Sequence, residues 1–235
     1  MRALGLLLLS VFLVSTADGQ STEYSALLNS GLFSFGGKSA TQSSAIIVSD
    51  VSTADNYTNN PYGSNKALSY GLALRIQRVT SGQGILGIQL GYEVLRSKVH
   101  INQIFTNNPA SPFEASGQTV LKHRVINIYP AFGYRSGFQG LDIDLTAGPE
   151  FGFNLSSREV GEATLNDGSE IKTDTERQDP GTDIRLRSSV TIYYGNWGVS
   201  GGYSYGLRNY SRGLTGGDRK RFSRFIRWGI TYRIK

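Results

Sequence analysis

Leu68-Ser69-Tyr70-Gly71-Leu72-Ala73-Leu74-Arg75-Ile76-Gln77 alternates between two kinds of side chain. Its even positions carry Leu, Tyr, Leu, Leu and Ile; its odd positions carry Ser, Gly, Ala, Arg and Gln. Successive side chains of a strand point to opposite faces, so this segment has one greasy face and one small or polar face. The same two-residue period recurs along nearly the whole chain.

Working outward from that stretch, the period places eight strands, on the roughly 9–11 residues usual for a strand that crosses a bilayer. The first lies within Tyr24–Phe35, where both parities carry apolar residues, and the polar connection 36–66 follows. The second is Ala67–Val79, closed by the turn Thr80–Gly84. The third, Ile85–Arg96, sets Leu86, Ile88, Leu90, Tyr92 and Val94 against Gly87, Gln89, Gly91 and Glu93. After the connection 97–118, the fourth strand, Thr119–Tyr134, turns Ile126, Ile128, Pro130 and Phe132 outward, and Arg135–Gly140 is a short turn. The fifth starts at Leu141, with apolar residues at every odd position to Phe153 and Asp142, Asp144, Glu150 and small residues between them. The acidic, polar segment Ser156–Thr182 reads as a solvated, mobile loop. The sixth strand, Asp183–Tyr194, is joined by Gly195-Asn196 to the seventh, Trp197–Arg208. The eighth is Phe222–Ile234, beyond the Gly- and Arg-rich segment Asn209–Arg221.

The connections therefore alternate long and short, starting long. That order, an even strand count and one greasy face per strand describe an all-β, eight-stranded antiparallel up-and-down transmembrane β-barrel, with short turns in the periplasm and long loops outside. The N-terminus agrees. Arg2, the apolar run from Leu4 to Val14 and the small residues around Ala17-Asp18-Gly19 make residues 1–19 a cleaved signal peptide, with 20–235 as the barrel domain. Aromatic residues fit two belts: Tyr193, Tyr194, Trp197, Trp228 and Tyr232 on the periplasmic side, and Tyr203, Tyr205 and Phe222 on the outer side.

Composition narrows the function. The chain has 235 residues, no Cys, and a net charge of +6, so there is neither disulfide stapling nor a thiolate metal site. Its basic residues form no nucleic-acid motif, and an export signal points away from nucleic acid. Outer-membrane lipid and lipopolysaccharide phosphate are the more economical partners for the charge. Pro130 and Pro149 each remove a ladder donor, and a closed barrel offers no edge strand to hide them on.

Three segments carry a resemblance. Leu145-Thr146-Ala147-Gly148-Pro149-Glu150-Phe151-Gly152 resembles the "aGPyvg" strand of the small porin-like outer-membrane β-barrel family common in Bacteroidota. Gly202-Tyr203-Ser204-Tyr205-Gly206-Leu207 resembles its "ryqyGL" strand, and Trp228-Gly229-Ile230-Thr231-Tyr232-Arg233 its "lGlsYrF" ending. Ile128-Tyr129-Pro130 matches its "iP" strand, which makes both prolines family traits. The resemblance implies the barrel fold, the outer membrane and dependence on the outer-membrane assembly machinery. Barrels of this kind usually end in an aromatic residue; this chain ends Arg233-Ile234-Lys235, leaving Tyr232 as the terminal aromatic anchor.

The chemistry-bearing residues are few. His100 and His123 are the only histidines, and neither has a Ser two residues away on the same strand face, as a lipid A-deacylating barrel would use. A rim position suits His123 better. The carboxylates of Ser156–Thr182 show no calcium-loop spacing. Arg75, Arg185, Arg187, Arg208 and Arg227 share the inward parity with Glu93, Asp142, Asp144 and Glu150. A barrel of this size has an interior that side chains can fill, so Glu93, Glu150, Arg185, Arg187 and Arg227 are expected to pair into an ion network that plugs it. Arg212, Arg219, Lys220 and Arg221 flank the last outer loop as candidate lipopolysaccharide contacts. No metal, cofactor or catalytic residue is expected. A structural or surface-interaction role without enzymatic activity stands first, ahead of porin-like passage of small solutes and of a lipid A-modifying enzyme. A soluble lipocalin-like barrel shares the same alternation turned inside out.

Overall fold

The computed structural model of the protein describes residues 20–49, 55–106, 111–178, 181–210 and 220–234. The expected signal peptide lies outside these. The described strands are β1 (Ser21–Gly36), β2 (Ser43–Ile47), β3 (Tyr57–Thr58), β4 (Asn65–Val79), β5 (Gly84–Phe105) and β6 (Phe113–Phe138), then β7 (Leu141–Leu165), β8 (Glu170–Glu176), β9 (Asp183–Tyr194), β10 (Trp197–Gly206) and β11 (Phe222–Arg233).

Eight of them close a ring of antiparallel neighbours, β1-β4-β5-β6-β7-β9-β10-β11, with β11 returning to β1. The wall is greasy outside and polar inside. Leu72, Leu74, Leu90, Phe132, Leu145 and Leu186 are exposed on its outer face, while Arg75, Gln77, Gln89, Glu93, Glu150 and Arg185 are buried within. This orientation is that of a barrel in lipid and excludes the inside-out soluble alternative. The tight turns lie at one end. One is Gln139-Gly140, both at positive φ (50° and 82°), as a two-residue hairpin turn that follows the strand twist requires.

The prolines are accommodated by facing each other. Phe138 and Leu141 flank a two-residue hairpin and so exchange hydrogen bonds, and alternate pairs up the seam do likewise. Counting up the β6–β7 seam, Pro130 falls opposite Pro149, at a pair of that kind. Pairing runs to Phe132↔Ala147, stops across the prolines and resumes at Ile128↔Phe151 without a change of register. The two missing donors point at each other. On their other edges the ladders are intact, Pro130 beside Ile88 and Pro149 beside Leu186.

Beyond the edge of the lipid-facing band that lies away from the tight turns, the alternation reverses. On β5, Leu86, Ile88, Leu90 and Tyr92 face outward, but Leu95, Val99 and Ile101 face inward. On β6, Leu121 and Val125 are buried while Ile126 and Phe132 are exposed. On β7 a bulge does the switching, because the register slips where Arg124 pairs with Ser156 and Val125 with Asn154. One extra residue moves the inward parity from Glu150 and Gly152 to Ser157 and Glu159, as a bulge must.

The inversion lets β5, β6 and β7 run on as an extension with a core of its own. β2 joins the side of β5 in parallel, β3 pairs with β2, and β8 pairs with β7. Ile46, Val99, Ile101, Ile104 and Ala163 form its buried cluster, with Ile171 and Leu165 packed against it. Three expected connections are corrected here. Segments 97–105 and 113–118 are strand, 36–66 contributes β2 and β3, and most of 156–182 is the β7–β8 hairpin rather than a loop. A further correction concerns Arg135 and Tyr193. Arg135 belongs to β6, not to a turn, and Tyr193 is buried inside the barrel rather than placed in a belt. Trp197 and Tyr232 do pack together at the turn end, with ring centroids 4.8 Å apart.

Candidate functional site: the filled interior

Inward parity and ring closure bring the charged residues of β5, β7, β9 and β11 to one level of the bore. Glu150 is the hub. Its carboxylate lies 2.7 Å from Arg227, 3.3 Å from Arg185 and 3.4 Å from Arg187, and accepts a hydrogen bond from Ser204 at 3.0 Å. Arg227 also forks onto both oxygens of Glu93 at 2.9 Å, and donates to Ser204. Arg185 reaches Asp183 at 2.7 Å and Glu93 at 3.9 Å. All five residues singled out from the sequence thus meet in one cluster, and Asp183 joins them. Glu93, Glu150 and Asp183 balance Arg185, Arg187 and Arg227.

Every cation in this cluster is Arg. A guanidinium offers a planar fork of donors and a face that stacks, whereas an ammonium offers neither. The Arg187 guanidinium sits over the Tyr129 ring at 4.3 Å and that of Arg227 over Phe225 at 4.2 Å. Charges removed from water repay their desolvation only with such dense pairing.

A second network fills the turn end. Arg135 binds Glu23 at 2.6 Å and Asp144 at 2.6 Å, and Gln77 donates to both carboxylates at 2.9 Å. Arg233 lies 3.0 Å from Asp142 and 3.3 Å from Glu23, with its guanidinium over Tyr193. The network ties β1 to β6, β7 and β11. Reading Arg135 as a turn residue hid it; the inward parity of Asp142 and Asp144 was its visible half. Arg75 lies apart from both networks, bonded to Gln89 at 3.1 Å.

Toward the end opposite the tight turns the bore is apolar. Phe33, Phe35, Leu95, Leu121, Val125 and Phe225 form a buried cluster, and Tyr62 and Tyr210 from the connecting segments pack onto it. Phe35 meets Tyr62 and Tyr210 edge to face, at 5.1 and 5.0 Å. His123 is part of this layer. It is buried, not at the rim as its sequence context suggested, and its Nδ1 lies 2.7 Å from the hydroxyl of Ser157, its cross-strand partner. A pairing across strands is invisible to a search along one strand.

Of the expected lipopolysaccharide contacts, Arg212 and Arg219 lie outside the described residues. Lys220 is exposed. Arg221 turns into the mouth, its guanidinium 4.5 Å from the Tyr62 ring centre and its Nε donating to the Ser39 carbonyl at 3.2 Å. Arg208 donates to the Thr182 carbonyl. Among the described residues, no group of three His, Asp or Glu is placed to hold a metal ion.

Residues 23–212 match the family model described as "Outer membrane protein beta-barrel domain". No curated protein matches by sequence. Among solved structures, the chain is similar to Ail, the attachment invasion locus protein of Yersinia pestis. That match has 9% identity and a TM-score of 0.34, covering 93% of this chain and 100% of the other. It is also similar to Neisserial surface protein A, with 12% identity and a TM-score of 0.37, covering 90% of this chain and 98% of the other.

Proposed function

Because the chain belongs to the outer membrane protein beta-barrel domain family, and is an outer-membrane β-barrel, we propose that it works as a sealed membrane anchor. Its role is structural or surface-interacting: it presents the extension built by β2, β3, β5, β6, β7 and β8 at the cell surface, and neither conducts solute nor catalyses a reaction. On this reading residues 1–19 are a cleaved export signal, the tight turns face the periplasm and the assembly machinery, and the extension faces outward. The Bacteroidota kinship is supported by the short motifs at Ile128–Pro130, Leu145–Gly152, Gly202–Leu207 and Trp228–Arg233.

The observation that carries the proposal is the filling of the bore at three levels. Two Arg–carboxylate networks and an aromatic layer occupy the path a solute would take. A bore of eight strands is only wide enough for side chains to fill. A porin-like role needs a water-filled lumen, which this packing opposes. In the His123–Ser157 pair both side chains are buried, and the His123 ring packs edge to face against Phe35 and Tyr210 as part of the apolar layer.

The test is conductance of the native protein in planar bilayers, beside a variant carrying Glu93→Ala and Glu150→Ala. The native protein is expected to show no steady current. Large, stable open channels in the native protein would reject the sealed anchor in favour of porin-like passage.

A further inference from the structure

The outer face of the wall carries a row of like charges where the alternation inverts. Tyr92, Ile126 and Phe153 stand side by side on β5, β6 and β7 as the last outward apolar row. One outward step higher come Val94, Arg124 and Ser156, and one step above that Arg96, Lys122 and Arg158. Each step is roughly 7 Å along the strand, and strand tilt shortens its height above the membrane. The four cations therefore sit immediately above the hydrocarbon band, on the same outward face.

That arrangement opposes folding. Arg96 is directly opposite Lys122, and Lys122 directly opposite Arg158, and like charges facing each other across strands are destabilising. Adjacent strands are about 4.8 Å apart, so the row packs three cations into about 10 Å. Among the described residues, no carboxylate lies within ion-pair distance of Arg96, Lys122 or Arg124, although Asp174 is near enough to Lys122 to feel its charge. Arg158 alone is paired, forking onto Asp174 at 2.6 and 2.8 Å. Arg96 also leaves its Nε without a hydrogen-bond partner. The side chains enclose a groove of about 480 Å³ whose wall also carries Tyr70, Ser156 and two carboxylates, Asp174 and Glu176, so its four cations outnumber its anions by two.

We propose that this face binds the phosphate groups of a phosphorylated glycolipid of the outer leaflet, the lipid A part of lipopolysaccharide. The inference rests on the outward orientation of the extension. A glycolipid places its phosphates directly above its acyl chains, which is where these cations stand above Tyr92, Ile126 and Phe153. A soluble anion has no reason to prefer a groove continuous with the lipid-facing wall. Acyl chains packing on that wall and phosphates in the groove use both halves of the surface at once. The site is separate from Lys220 and Arg221 at the last loop.

The test uses the full chain refolded into phosphatidylcholine vesicles with or without bisphosphorylated lipid A, following the thermal unfolding midpoint and the gel-mobility shift on boiling. Native protein is expected to gain stability from lipid A. With Lys122→Gln and Arg124→Gln together, affinity for lipid A is expected to fall about thirtyfold, at about one favourable contact per cation. In phosphatidylcholine alone the same variant is expected to be at least as stable as native, since a repulsive row has been thinned. That reversal of sign separates a binding site from a structural one. Lys220→Gln with Arg221→Gln is expected to keep the lipid A response. The proposal is overturned if the Lys122/Arg124 variant keeps the full lipid A response, if it is less stable than native without lipid A, or if dephosphorylated lipid A or inorganic phosphate reproduces the effect. The chain has no Cys, so failure of a membrane-impermeant thiol reagent to label Lys172→Cys, an exposed position on β8, in intact cells would overturn the orientation separately, leaving vesicle binding intact.

Discussion

Arg227 and Glu150 approach to 2.7 Å although their strands, β11 and β7, are separated in the ring by β10 and β9. The pair spans the bore, and Arg227 carries the connection on to Glu93 on β5.

Glu150→Ala is therefore expected to destabilise far more than a wall substitution of equal size. It removes the carboxylate that, among the described residues, alone pairs with Arg187, and a shared partner of Arg185 and Arg227. Leaving a buried charge unpaired costs about 3–5 kcal/mol, less where water enters. Urea unfolding in vesicles measures it, with Ser204→Ala as a neutral comparison at the same level. A loss no larger than that of Ser204→Ala would show that water, not Glu150, solvates these guanidiniums.

Pro130 and Pro149 make the β6–β7 seam the one place in the wall where a hydrogen-bonded pair has no donor. Replacing one proline by Ala restores an N–H opposite a waiting carbonyl, for about 0.5–1.5 kcal/mol. The extra freedom of the unfolded chain removes about 0.4–1 kcal/mol of that. Both together restore the pair, and Pro130→Ala with Pro149→Ala is expected to stabilise more than the two single changes summed. Additive or destabilising behaviour in the same unfolding assay would place the missing bonds elsewhere.

The barrel band was legible because lipid enforces one strict rule, apolar outward at every second residue. That rule located β4, β9 and the lower halves of β5, β6 and β7, and it assigned Glu93, Glu150, Arg185, Arg187 and Arg227 to the interior. The extension was not legible because the rule inverts there. Val99 and Ile101 have the opposite parity to Ile88 and Leu90, so a reading fixed on one parity ends the strand at Arg96. The bulge beside Leu155 shifts β7 by one residue and hides Glu159 and Ala163 in what reads as a polar loop. Cross-strand partners such as His123 and Ser157, or Arg135 and Glu23, depend on register, which no single strand reveals.

Glu159 is expected to hold the extension together. It is buried, accepts from the Thr58 N–H at 2.7 Å and the Thr58 hydroxyl at 2.6 Å, and pairs with Arg177 at 2.7 Å. Thus one side chain ties β3 to β7 and to the segment after β8. Glu159→Ala leaves Arg177 without its carboxylate and the Thr58 N–H without its acceptor, while Arg177 keeps the Thr58 carbonyl and the Thr58 hydroxyl keeps Thr119, and the loss is confined to the extension. Limited proteolysis is expected to cut the variant between residues 55 and 62 or between 170 and 178, while the barrel keeps its mobility shift on boiling. Native protein is expected to resist cleavage at both places, because these segments are paired rather than loose. Equal cleavage of native and variant would remove Glu159 from this role.

The inversion of parity predicts where a charge is tolerated. Below the boundary the outward positions are intolerant: Leu72 is 60% exposed on the lipid face, and Leu72→Arg sets a cation against hydrocarbon, at roughly 2–4 kcal/mol near the midplane. Above the boundary the inward positions are intolerant instead. Leu95 is 1% exposed in the cluster with Phe33, Phe35 and Leu121, so Leu95→Arg buries a guanidinium among apolar side chains. The outward neighbour Arg96 already carries a charge, so Arg96→Leu removes one from a repulsive row and leaves the fold intact. Folded fraction in phosphatidylcholine vesicles distinguishes these cases: Leu72→Arg and Leu95→Arg are expected to lower it, and Arg96→Leu to leave it unchanged. If Leu95→Arg is tolerated as well as Leu95→Ala, the band extends further along β5 and the boundary lies beyond Arg96. The cationic row would then stand inside hydrocarbon, a position that four neighbouring charges could not hold.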